Sequence, residues 1–215
     1  MHLLILGASG GCGRWATRLA AERGHQVRAV VRSGASFEPP AGVETIVGSV
    51  LEQSVVDEAV RDVDAVLCCL GLRRRHPANP WSRVTSPHDL VESTTRVLVE
   101  RMRAHGVSRV VAISAGGVGD SRSKISPLLR WLFDHSNITI AYRDLDRMES
   151  TLAESGLDWH VVRPTTLSNG RHTGRASAVD RYGLFSRVSR ANVADWMIRT
   201  AEGVERESRT PMIRG

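Results

Sequence analysis

Lysine is nearly missing from this sequence: Lys124 is the only one, so the formal net charge of +6 is carried almost wholly by arginine. Tyrosine occurs twice, and the residues four positions beyond Tyr142 and Tyr182 are Asp146 and Ser186. A tyrosine made acidic by a lysine one helical turn on is therefore excluded, and with it the proton exchange such a pair performs. Aromatic residues make up only 5% of the chain, and its basic residues are spread along it. A stacking platform for single strands is hard to build from that, so nucleic acid is not an expected partner. Three cysteines, Cys12, Cys68 and Cys69, offer no disulfide framework, and none has zinc-type spacing with a histidine. No metal is expected. Long apolar runs are absent as well. The run at residues 3–6 is far too short for a signal peptide, and nothing approaches a membrane span. The expectation is a cytoplasmic protein with no membrane partner, either a monomer or a homodimer.

What is present is the composition of an ordinary globule, with 215 residues, 41% apolar and 24% charged, enough for one domain over residues 1–215. Short β-branched runs alternate with longer helical patterns, which is the rhythm of βαβ units and a parallel sheet. The expected strands are residues 2–6, 26–31, 43–47, 65–70, 109–113 and 158–163. A first helix runs from about Gly11 to the stop at Gly24. Ser54 with Asp57 reads as a capping box for a second, and Ser86-Pro87-His88-Asp89 as the start of a third that ends at Gly106. Another spans about 140–155, and a last one begins near Ser189. Two long loops, 72–85 and 115–127, follow the fourth and fifth strands at the end where open α/β sheets bind ligands.

The opening strand runs straight into Gly7-Ala8-Ser9-Gly10-Gly11-Cys12-Gly13 and then a helix. The glycines divide the work between them. Gly7 permits the tight turn, Gly10 lets the backbone approach a pyrophosphate, and Gly13 lets the helix pack on the sheet. The helix N-terminus presents free N–H groups to the anion. This is a Rossmann-type NAD(P)-binding beginning, and it predicts a doubly wound α/β fold. At the end of the second strand stand Arg32 and Ser33, where an acidic residue would accept a ribose 2′-hydroxyl. Arginine instead suits a 2′-phosphate, by charge and forked hydrogen bonds. The expected cofactor is NADPH.

Together with that turn and Val31-Arg32, the strand ends Cys69-Leu70-Gly71 and Ile113-Ser114-Ala115 carry a family likeness. So do Ser155-Gly156-Leu157-Asp158-Trp159 leading to Val162-Arg163-Pro164, and the closing Val188-Ser189-Arg190-Ala191-Asn192-Val193-Ala194. The chain resembles the atypical short-chain dehydrogenases, and within them the NAD(P)H-binding group of NmrA-like proteins and flavin reductases of the biliverdin reductase B type. The resemblance implies that Ser9, Gly10, Gly11 and Cys12 bind the pyrophosphate and Arg32 the 2′-phosphate, with Ser49 and Val50 flanking the adenine. It further implies that Leu70, Gly71, Ile113, Ser114 and Ala115 line the nicotinamide half, which Pro164, Thr165 and Thr166 close. Ser49, Thr165 and Asn192 depart from residues common in the family, an aspartate, a histidine and an aspartate respectively.

Two functions remain open. One is a reductase passing hydride to a flavin, quinone or similar planar acceptor, with flavin as substrate rather than bound cofactor. That chemistry chiefly needs the two rings held in contact. Ser114 is the candidate catalytic hydrogen-bond donor, and residues 164–190 with the loop 72–85 would shape the acceptor site. Arg73, Arg74 and Arg75 would attract an acidic acceptor, and Trp81 would stack on it. The other is a redox sensor of NmrA-like type that binds NADP(H) without turnover.

Overall fold

The computed structural model describes residues 1–215. The elements run β1 (His2–Leu6), α1 (Gly11–Glu22), β2 (Gln26–Val31), β3 (Glu44–Val47), α2 (Gln53–Val60), β4 (Ala65–Cys68), α3 (Leu90–Ala104) and β5 (Arg109–Ile113). A 3₁₀ turn (Gly119–Lys124) then leads to α4 (Pro127–Asp134), α5 (Ile138–Ala153) and β6 (Asp158–Pro164). Three short strands follow, β7 (Thr166–Ser168), β8 (Ser177–Ala178) and β9 (Arg187–Ser189), before α6 (Arg190–Ala201) and β10 (Met212–Arg214).

The main sheet has the order β3-β2-β1-β4-β5-β6-β10-β8, parallel except for β8 against β10. Its first six strands follow the doubly wound order, so the winding reverses between β1 and β4 and a crevice opens at their carboxyl ends. Leu6 lies opposite Val30 on one side and Cys68 on the other. A separate parallel pair, β7 with β9, sits outside the main sheet.

Both faces of the sheet are covered, which is why β1 reads as a continuous apolar run. Leu3 and Ile5 join the core under α1 and α6, with Ala16, Leu19, Val193 and Met197. Leu4 and Leu6, pointing the other way, pack with Val56, Leu98, Met102, Met148 and Leu152 from α2, α3 and α5. A smaller cluster of Ile125, Leu129, Phe133, Tyr182 and Met212 anchors α4.

Two expected helix starts are corrected. Helix α2 begins at Gln53 after Glu52, and no side chain caps it. Ser54 therefore lies inside the helix, and Asp57 is engaged elsewhere. It accepts from His105 (2.9 Å) and Arg61 (2.8 Å), which draw its carboxyl down from 3.8 to about 2. Helix α3 begins at Leu90 rather than after Ser86, whose Oγ accepts from the Arg73 amide (3.0 Å). The carboxylate of Asp144, fully buried on α5, takes the amide protons of Val91 (3.0 Å) and Glu92 (3.1 Å). A tertiary partner thus fills the role a local capping residue was expected to play. Helix α4 and strands β7 to β10 add to the expected elements: each is short, and the strands are only two or three residues long. The Ser126-Pro127 pair that opens α4 is a start signal of the kind read at Ser86-Pro87.

Candidate cofactor and acceptor site

The turn after β1 is shaped by close backbone contact. Gly7 has φ +76°, in the left-handed region, and its carbonyl accepts from the Gly10 amide at 2.9 Å. A methyl group added at Gly13 would lie 2.1 Å from the Gly7 oxygen, and one at Gly7 would meet the Cys69 oxygen and the Leu70 side chain at 3.0 Å. Glycine at these positions brings α1 down onto the turn, and the turn against the end of β4. No side chain caps α1, and no acidic residue stands in its first turn. Its leading N–H groups are left to a ligand, and the field there favours an anion.

The other expected residues lie at the ends of the strands that flank β1 in the sheet. Arg32 and Ser33 are exposed just beyond β2. The Gly48 amide donates to Val31 O (2.9 Å), so the turn carrying Ser49 and Val50 begins beside them. Ser49 is half-buried, and its Oγ accepts from the Leu51 amide at 3.2 Å. Past β4, Leu70 is half-buried and Gly71 exposed. Ile113 and Ser114 are buried at the end of β5, as are Pro164 and Thr165 at the end of β6, while Ala115 is half-buried and Thr166 exposed. Ser114 is 4% exposed and Thr165 3%, yet neither hydroxyl has a hydrogen-bond partner within the protein. Their amides are satisfied, by Val162 O (2.8 Å) and Ile213 O (3.0 Å). Buried hydroxyls are normally paired; those of Thr94 and Ser126, away from these strand ends, are also without a partner within the protein.

The family model described as NAD(P)H-binding matches residues 7–203, from the first glycine of the turn to just past the end of α6. The chain belongs to this NAD(P)H-binding family. The 2-alkyl-3-oxoalkanoate reductase of Stenotrophomonas maltophilia is 33% identical over 118 residues, which are 55% of this chain and 34% of that one. The match thus spans about a third of the curated relative's length. Among solved structures, a short-chain dehydrogenase/reductase from Veillonella parvula in complex with NADP superposes with a TM-score of 0.78 at 18% identity, covering 100% of this chain and 94% of the other. The anaerobillin reductase ChuY of Escherichia coli O157:H7 gives 0.74 at 24% identity, over 100% and 97%. The fold these structures share is the one expected from the glycine turn and the strand rhythm.

In this NAD(P)H-binding protein the tyrosines are engaged structurally. Tyr142 on α5 donates to Gly116 O (2.8 Å) and packs against Phe133. Burial and the neighbouring Tyr182 push its phenol far above the usual range. The Tyr182 hydroxyl is hydrogen-bonded to that of Thr166 (2.9 Å). Cys12 is buried beneath the turn, and that burial lifts its thiol to about 12, against the opposing charge of Arg190. Any contribution from Cys12 to anion binding comes from its backbone.

The loop 72–85 is a hairpin, with Arg74 bridging antiparallel to Val84 and the Arg75 amide donating to Arg83 O (3.0 Å). Arg74 turns inward onto Asn79 O (2.9 Å) and Pro77 O (2.7 Å). Trp81 Nε1 donates to His135 O (2.9 Å), which fixes a ring that is 56% exposed. Arg75, Arg83, Trp81, His88 and Ile140 line an open groove of about 810 Å³ between this hairpin and the starts of α3 and α5. Of the three arginines in the run, only Arg75 lines that groove. Arg83 carries no local signal of its own, and only the hairpin pairing places it opposite Arg75.

Two further arginines at the glycine turn lie outside the motif-based expectation. Arg14 donates to the carbonyls of Ser9 (3.1 Å) and Ser36. Arg190, at the start of α6, lies across Gly11. Arg14 directly follows Gly13 and could have been found by extending the motif one residue, but nothing in the local sequence places Arg190 beside residue 11.

Proposed function

We propose that this chain is an NADPH-dependent oxidoreductase that reduces a flavin, quinone or similar planar acceptor. The observation that carries the reading is the close-packed Gly7–Gly13 turn ahead of the uncapped N-terminus of α1, with the hydroxyls of Ser114 and Thr165 at the carboxyl ends of β5 and β6. Those two strand ends are where the nicotinamide half would lie in a dinucleotide whose pyrophosphate rests on the turn from Gly7 to Gly13. Bound NADPH would supply the hydride. Ser114 orients the reacting ring by donating a hydrogen bond, and Arg32 with Ser33 takes the 2′-phosphate. Ser49 and Val50 flank the adenine, and Leu70, Gly71, Ile113, Ala115, Pro164 and Thr166 shape the cavity.

A carbonyl acceptor, of the kind the name of the Stenotrophomonas relative indicates for that protein, needs a proton delivered to the nascent alkoxide. Tyr142 cannot supply it, being held by Gly116 O with its phenol pushed up by burial. Planar acceptors that take their proton from water do not need one. The groove lined by Arg75, Arg83 and Trp81 suits an acceptor with an aromatic face and acidic substituents.

The test is steady-state oxidation of NADPH by the purified protein with FMN as acceptor, against a protein-free control. Saturable turnover supports the reductase. NADPH binding without turnover on flavins or quinones turns the reading to the sensor. Ser114→Ala is expected to lower kcat about tenfold or more, as loss of a hydrogen bond made to the reacting group would. Undiminished turnover removes Ser114 from the mechanism. Arg32→Glu is expected to abolish the preference for NADPH over NADH, and an unchanged preference sinks the cofactor assignment.

A further inference from the structure

We propose that Arg190 is a ligand of the dinucleotide's pyrophosphate, reaching the glycine turn from the far end of the chain. Ser189 caps α6, its Oγ accepting from the Asn192 amide at 3.0 Å, and this sets the direction in which Arg190 leaves the helix. Its side chain runs over Gly11: a methyl group there would stand 2.6 Å from Arg190 Cδ and 2.7 Å from Nε. The guanidinium is thereby brought to the uncapped N-terminus of α1. Its influence reaches the buried Cys12 thiol, which its positive charge pulls down against burial. The partner it has is neutral, the Asn169 Oδ1 at 2.6 Å. Asn169 follows β7, in the segment on the substrate side. A cation held at an anion-binding helix end without a carboxylate is poised for a phosphate, and arginine's fork can engage two phosphate oxygens at once.

The role differs from that of the other arginines nearby. Arg14 is engaged by two backbone carbonyls. Arg32 stands at the end of β2, where only the 2′-phosphate of NADPH would reach it. The pyrophosphate belongs to NADPH and NADH alike, so the two nucleotides together separate the roles. The assignment rests on the dinucleotide lying with its pyrophosphate on the glycine turn, as in the proposed function.

Dissociation constants of NADPH and NADH are measured by fluorescence titration for the unaltered protein, Arg190→Gln, Arg190→Lys, Asn169→Ala and Arg32→Glu. Loss of a hydrogen bond to a charged group predicts that Arg190→Gln weakens both nucleotides by a common factor of about ten to a hundred. Arg190→Lys should recover part of the loss, Arg32→Glu should weaken NADPH alone, and Asn169→Ala should change neither by more than about twofold. Unchanged binding in Arg190→Gln, or a loss confined to NADPH, overturns the inference. So does an equal loss in Asn169→Ala, which would make Arg190 a strut for the 169–174 segment. If Arg190→Gln does not fold, Arg190→Met keeps an apolar stem over Gly11 and removes the charge. Failure of the unaltered protein to bind either nucleotide would instead remove the placement of the pyrophosphate.

Discussion

The two halves of the site are built in opposite ways. The cofactor half, from β1 through the glycine turn into α1, is made by leaving side chains out, so that Gly13 stacks on Gly7 and no side chain caps the helix. The half proposed for the acceptor, with the strand and helix that back it, is made by putting side chains in. Arg163 on β6 holds Glu149 of α5 through two hydrogen bonds (3.1 and 2.5 Å) and reaches Asp120 in the 3₁₀ turn (2.6 Å). Asn192 Oδ1 accepts the amides of Thr173 (2.9 Å) and Gly174 (3.2 Å), while Asn137 Nδ2 donates to Trp81 O (2.7 Å). The first half should be broken by adding atoms and the second by removing them.

The largest effect is expected in the acceptor half. Glu149→Ala leaves Arg163, 3% exposed, without its main counter-charge, and should cost about 3–5 kcal/mol in denaturant unfolding. Asp120→Ala, whose carboxylate is mostly in solvent, should cost under about 1 kcal/mol. Equal costs would mean that the turn matters as much as the buried pair. Gly13→Ala comes next. The methyl would sit 2.1 Å from a backbone oxygen, and overpacking of this kind costs about 1–3 kcal/mol. NADPH affinity should fall with it, and an alanine variant binding normally would contradict close packing of the turn.

Smaller still is Asp144→Ala, which strips the amides of Val91 and Glu92 of their acceptor. A loss of about 0.5–2 kcal/mol is expected, the range of a helix cap. The smallest effect depends on pH. Asp57 is drawn down to about 2 by His105 and then Arg61, so its contribution is present above its ordinary value near 3.8 and fades as pH falls through 2. Melting curves of Asp57→Asn and the unaltered protein should therefore differ slightly near neutrality and converge toward pH 2. A constant difference would assign the effect to packing.

The same contrast explains what could be read in advance. Strands β1, β2 and β5 have the bounds expected from their apolar runs, and β3, β4 and β6 differ by a residue or two at one end. Those elements are encoded by local pattern, as is the glycine turn, because steric permission belongs to single residues. Other contacts join residues far apart in sequence: Asp144 on α3, Trp81 on the α4–α5 junction, Arg190 on Gly11. No local periodicity records them. The expected capping box at Ser54 is not formed, Asp57 being held by His105 and Arg61, and the helix start read at Ser86 gives way to one served by the distant Asp144.

Strand β10 ties the end of β6 to β8. Ile213 O accepts from the Thr165 amide, Met212 O accepts from the Val179 amide, and Ile213 lies opposite Ala178. The end of β6 is thus held by residues about fifty positions further along the chain. Loss of the last few residues would leave the amides of Thr165 and Val179, on two separate segments, without their acceptors at once.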